Sequence, residues 1–137
     1  MSQSCVGTDC SIPTHGYSTT SVMTPEPTAF ADAYAMVKVV TMEKPEMQIG
    51  ITVNMTKNEN EGIVIAEKFS EIVQRFLSKA VRYRGAIPRD PVVAEAIMRQ
   101  VPLALYAPKS GPMQAIRKIA RNLLGLETPK KNGLFSR

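Results

Sequence analysis

The chain is poor in the residues that carry most enzyme chemistry. Its 137 residues include two cysteines, Cys5 and Cys10, one histidine, His15, and no tryptophan. With one histidine there is no Ser/His/Asp or Cys/His constellation to defend. Cys5, Cys10 and His15 fall one short of the four ligands of a structural zinc site, so no metal centre is expected. None of the eight glycines precedes a lysine, which excludes a G-x-x-x-x-G-K-[ST] phosphate loop, and no G-x-G-x-x-G occurs either. No apolar run approaches the roughly 20 residues of a membrane-spanning helix. Residues 1–22 show no apolar core of a secretory signal. A cytoplasmic setting with reduced thiols is therefore expected.

What the sequence has is alternation. The stretch Gln48-Ile49-Gly50-Ile51-Thr52-Val53-Asn54 reads as a buried strand ending in a polar cluster. Before it, Ser21-Val22-Met23 looks like the end of another strand. Thr24-Pro25-Glu26-Pro27-Thr28 is a turn with Thr28 as helix cap, and Ala29–Val40 is a helix with Phe30, Ala33, Tyr34, Val37 and Val40 on one face. Asn58 with Glu61 suggests a capping box. It opens a helix to about Ala80 whose buried stripe is Ile65, Phe69, Ile72, Val73, Phe76 and Ala80. Val81–Ile87 reads as a strand, and Asp90-Pro91 caps a short helix over about 92–100. Pro102–Pro108 suggests an extended edge segment. Ser110 then caps a last helix with Met113, Ile116, Ile119, Ala120 and Leu123 inward and Gly125 as its stop.

Strands alternating with helices imply an α/β fold: a partial parallel sheet of three to four strands with flanking helices. Ligands in such sheets sit beyond the carboxyl ends of the strands, which puts Asn54 in a binding position. The formal charge of +5 and pI near 9.4 suit solvated helix faces, and also a DNA or anionic membrane surface. Asp32, Glu61 and Asp90 are better explained as caps and solvated residues than as acid/base catalysts.

Several unusual peptides give a more specific reading. Val22-Met23-Thr24-Pro25-Glu26-Pro27-Thr28-Ala29-Phe30-Ala31-Asp32-Ala33-Tyr34-Ala35 resembles the segment downstream of the second switch in MinD/ParA-type ATPases, closest to their flagellar branch (the FlhG/FleN/YlxH type). The similarity continues collinearly through Val53-Asn54-Met55, Asn60-Glu61-Gly62, Arg75-Phe76-Leu77 and Gly85-Ala86-Ile87-Pro88-Arg89-Asp90-Pro91. It ends with Ala96–Pro102 and Pro108-Lys109-Ser110, covering about 22–125. The resemblance implies the carboxyl half of a MinD-like P-loop NTPase fold. It also implies adenine contacts from Asn54, Met55, Pro88, Arg89 and Asp90. An Asn amide can both donate to and accept from a purine edge.

The same resemblance implies ATP and Mg as cofactors of the full-length family, little of either held tightly by this chain, flagellar assembly or regulatory proteins as partners, and an ATP-dependent homodimer that is doubtful here. The family's phosphate loop and switches lie upstream of Thr24, where residues 1–21 resemble none of them. The expectation is a leader over 1–21, the half-domain over 22–125, and a basic tail over 126–137. Leu134 and Phe135 in that tail look like the start of an amphipathic membrane-targeting helix giving weak peripheral binding at the inner face of the cell membrane. The expected function is that of a truncated flagellar MinD-like protein, not hydrolytic alone. The alternatives are half of a split ATPase restored by an N-terminal partner, or a DNA-partitioning ParA relative. The flagellar reading expects no nucleic-acid binding.

Overall fold

The structure, a computed structural model, describes residues 18–124. In order, β1 (Ser18–Met23), α1 (Pro27–Glu43), β2 (Gln48–Thr56), α2 (Glu59–Leu77) and β3 (Val81–Pro88) alternate. The short helices α3 (Pro91–Met98) and α4 (Leu103–Tyr106) and then α5 (Gly111–Leu124) follow. The strands form one parallel sheet in the order β1-β2-β3. The α/β architecture is as expected, with three strands. The boundary expected at residue 21 falls inside β1, which already pairs with β2 from Ser18.

β2 is the centre of the core because both its faces are covered. Ile49, Ile51 and Val53 point toward α1 and α2, while Gly50 and Thr52 are buried on the other side. This is the continuous apolar run of a central parallel strand rather than an alternating one. Ala33, Val37 and Val40 of α1 and Ala66, Phe69 and Val73 of α2 complete the cluster. Phe30 meets Phe69 edge to face, with centroids 5.1 Å apart.

Several local expectations change. α1 begins at Pro27, so Glu26 rather than Thr28 is the cap, and its side chain caps no helix N–H but accepts from the Thr24 hydroxyl at 3.2 Å. Proline's fixed φ starts the helix on its own; the Glu26 carbonyl accepts from Phe30 N at 3.1 Å. The buried stripe of α2 is rotated from the expected one. Gly62, Ala66, Phe69 and Val73 face inward, whereas Phe76 is 64% exposed. Small residues are on the inner face because α2 lies close on β3: a Cβ at Gly62 would stand 2.6 Å from Ala86 Cβ. The helix stops at Leu77, with Ser78 in a left-handed cap, so Ala80 lies outside it. Around Pro102 the chain forms a turn of helix, α4, not an extended edge, because Leu105 N and Tyr106 N both close back on Pro102 O at 2.9 Å.

α5 covers β3 from the opposite face. Gly85 has φ +148°, and a Cβ there would meet Ile119 at 2.9 Å; both constraints require glycine. Of the residues expected inward on α5, Met113 and Ile119 are half-buried, while Ile116, Ala120 and Leu123 are exposed. Ser110 uses its hydroxyl to donate to Ala107 O at 2.8 Å rather than to receive from the helix. Gly125 lies outside the described residues.

Candidate functional site

β2 and β3 end side by side. Asn54 is in register with Ile87 and Thr56 with Pro88. Two single-residue insertions set this alignment. Arg84 is extra on β3 between the partners of Ile51 and Thr52, and Met55 is extra on β2 between Asn54 and Thr56. The first shifts the register by one and the second restores it. Met55 takes φ 61°, a left-handed conformation unusual for a residue with a side chain. Such strain clusters at ligand sites.

The loop beyond the strands is held by named bonds. Arg89 N donates to Thr56 O at 2.8 Å, and the Thr56 hydroxyl donates to Ile87 O at 3.4 Å. Met55 N donates to Asn54 Oδ1 at 2.8 Å; the Asn54 amide nitrogen has no partner among the described residues. Asp90 Oδ1 accepts from Val92 N at 3.0 Å, so its carboxylate fixes the start of α3. On the other flank, Asn58 Oδ1 accepts from Glu61 N at 2.8 Å, while Glu61 Oε1 accepts from Lys57 N at 2.7 Å. The capping box is thus present, with its return arm one residue earlier than in the usual form. Tyr83 donates to Glu59 Oε2 at 2.7 Å. Burial first, then that bond and the negative charge of Glu59, push the phenol above its ordinary range.

The structure therefore brings Asn54, Met55, Pro88, Arg89 and Asp90 to one corner, at the carboxyl ends of adjacent strands. Thr56, which ties the two strand ends together, is a residue that the sequence reading missed. Its only signal was a hydroxyl in the polar cluster after Asn54. A separate cleft of about 320 Å³ lies at the end of β1, between the Pro25–Pro27 turn and α2, with Phe30, Ile65 and Lys68 on its walls. It does not include the Asn54 corner. Among the described residues no cluster of His, Cys, Asp or Glu could hold a metal ion, and no helix is long and apolar enough to cross a membrane. Cys5, Cys10, His15, Leu134 and Phe135 lie outside the described residues.

A three-stranded parallel sheet flanked by helices, with its candidate site at the strand ends, is an α/β architecture, and comparison with known proteins narrows this. No family model matches the chain. The antiactivator FleN of Pseudomonas aeruginosa is 29% identical over 102 residues, 74% of this chain and 36% of that protein. The flagellum site-determining protein YlxH of Helicobacter pylori is 29% identical over 117 residues, 80% of this chain and 39% of that protein. Among solved structures, the septum site-determining protein MinD of Pyrococcus horikoshii, complexed with Mg-ADP, superposes with a TM-score of 0.55. It is 23% identical, covering 76% of this chain and 40% of that one. Over the part compared, the chain is thus similar to these flagellar proteins and shares the fold of MinD. It spans about 36–39% of the length of the curated relatives it matches.

Proposed function

We propose that this chain is a MinD-like regulator of flagellar number or placement that contributes the adenine-side half of a nucleotide site. The observation that carries the reading is the juxtaposition of Asn54 with the Pro88-Arg89-Asp90 loop, stitched by the 2.8 Å bond from Arg89 N to Thr56 O. An amide at a strand end and a loop stiffened by Pro88 and Pro91 offer a purine edge both polarities of hydrogen bond with little entropy to lose. The similarity to FleN and YlxH supports the flagellar assignment and flagellar regulatory proteins as partners.

The phosphate side of the site is not encoded in these 137 residues, which contain no Walker-type lysine loop. Positioned positive charge around the β- and γ-phosphates would have to come from outside these residues, and a separate N-terminal partner, as in a split ATPase, is one source. Titration with ribose-labelled ATP, with GTP as competitor, tests the base site. Weak binding is expected, with ATP displacing the probe better than GTP. Asn54→Ala should weaken binding by about fivefold to tenfold, the loss of about one net hydrogen bond. Equal displacement by GTP, or an unchanged affinity in Asn54→Ala, would remove the reading.

A further inference from the structure

Helix α3, PVVAEAIM, has a single polar residue, Glu95. Ala96 is its buried side, with Val92 and Val93 partly covered. The 100° step of a helix places Pro91, Ala94 and Met98 opposite Ala96, with Ile97 on one flank of that stripe and Glu95 on the other. All four apolar residues of the outward face are exposed, Ile97 by 69% and Met98 by 82%. A helix that is hydrophobic all round belongs between partners on both sides, and among the described residues α3 has them on one.

α4 adds to this face and its surroundings are basic. Tyr106 turns back to α3, donating to Glu95 Oε1 at 3.2 Å, with the Arg99 guanidinium 5.6 Å from its ring. Leu105 beside it stays 76% exposed. With Ile97 and Met98 this leaves roughly 400 Å² of apolar surface, a size that on monomers is often functional. Both nearby acids are engaged, Glu95 by Tyr106 and Asp90 by Val92 N. The cations are exposed: Arg89 before α3, Arg99 after it, and Lys109 and Arg117 beyond α4, the last bonded to Pro108 O at 2.6 Å. The patch stands past the carboxyl end of β3, away from both ends of the described chain. Ser18 opens β1 at the amino end of the parallel sheet. α5 runs from Gly111 beside Pro88 to Ile119 beside Gly85, and so carries Leu124 back toward that same end. Residues 1–17 hold one acid, Asp9, and residues 125–137 hold Glu127 against Lys130, Lys131 and Arg137. Neither segment complements a basic rim.

We propose that the outward face of α3, extended by Leu105, docks an acidic amphipathic helix of a partner protein. A helical stripe of apolar residues is matched by the ridges of a second helix laid along it. Met and Arg, which this surface offers as Met98, Arg89 and Arg99, are favoured at protein interfaces. α3 is about 12 Å long, with Arg89 before it and Arg99 after it. The partner's acids therefore bracket about two turns of large apolar residues. The contact is smaller than the roughly 800 Å² per partner of a standard interface, so it is transient and weakens as salt rises. It needs no nucleotide and stands apart from the base-site reading.

Panning a phage library of random peptides of about 16 residues, four to five turns, against the 137-residue chain without nucleotide tests this. The expected winners carry large apolar residues at i, i+3 or i+4, and i+7, with Asp or Glu at both ends. Fluorescence anisotropy with a synthetic winner should give a micromolar affinity that Met98→Glu weakens at least about tenfold. Arg99→Glu and Lys109→Glu should each weaken it about threefold or more, while Asn54→Ala leaves it unchanged. Amide exchange in α3 should slow when the peptide is added to the wild-type chain, a readout that needs no variant to fold. Enrichment of uncharged or basic peptides, or none, would overturn the proposal. So would peptide binding indifferent to Met98→Glu, or Met98-dependent attachment to phosphatidylglycerol vesicles with no peptide selected.

Discussion

Met55 holds φ 61°, where a side chain's Cβ crowds the following carbonyl oxygen at a cost of about 1–2 kcal/mol. Its side chain is 42% exposed, so packing returns little of that. Met55→Gly should therefore raise the unfolding free energy by about 1 kcal/mol, and Met55→Val should lower it by a similar amount or more. Urea denaturation followed by circular dichroism measures both. Stabilisation together with weakened nucleotide binding would show that the strain serves the site. Asn54 was legible in the sequence because it ends an apolar run. The left-handed turn at Met55 was not, since nothing in the residue type announces it.

At the scale of elements, the contact between α2 and β3 is set by the smallest side chains available. Gly62 lies under the first turn of α2, and a methyl group there would reach 2.6 Å from Ala86 Cβ. Gly62→Ala gains intrinsic helix propensity of about 1 kcal/mol, but overpacking costs about 1–3 kcal/mol. The expected net is a loss of stability, recovered in part when Ala86→Gly is added. Thermal melts of the single and double variants check the coupling. The elements themselves were readable because β2, α2 and the Asp90-Pro91 start of α3 each carry an apolar period and a cap that agree. The segment after Pro102 was misread because its prolines suggested an extended chain. The carbonyl of Pro102 instead closes a helical turn with Leu105 and Tyr106. The buried stripe of α2 was misjudged because large apolar residues drew the face toward Phe76, whereas close approach to the sheet selects Gly62 and Ala66.

For the molecule as a whole, fold and chemistry separate. The half-sheet buries Phe69, Val53 and Val73 completely, enough to define a core around β2. The sequence contains no Walker-type lysine loop to neutralise a transferring phosphate. The 137-residue chain alone, given ATP and Mg²⁺, should release phosphate no faster than a mock preparation. A malachite-green assay at high enzyme concentration checks this, and turnover above the blank would require a phosphate site of a kind not seen in the sequence.

The paired insertions at Arg84 and Met55 have an evolutionary corollary. Each cancels the other's offset, so losing one alone would slide the end of β2 past β3 and break the bond between Arg89 and Thr56. In descendants of this gene, length changes within these strands should be inherited as matched pairs, one in each strand, and a lone deletion should be found only where the corner has lost its role.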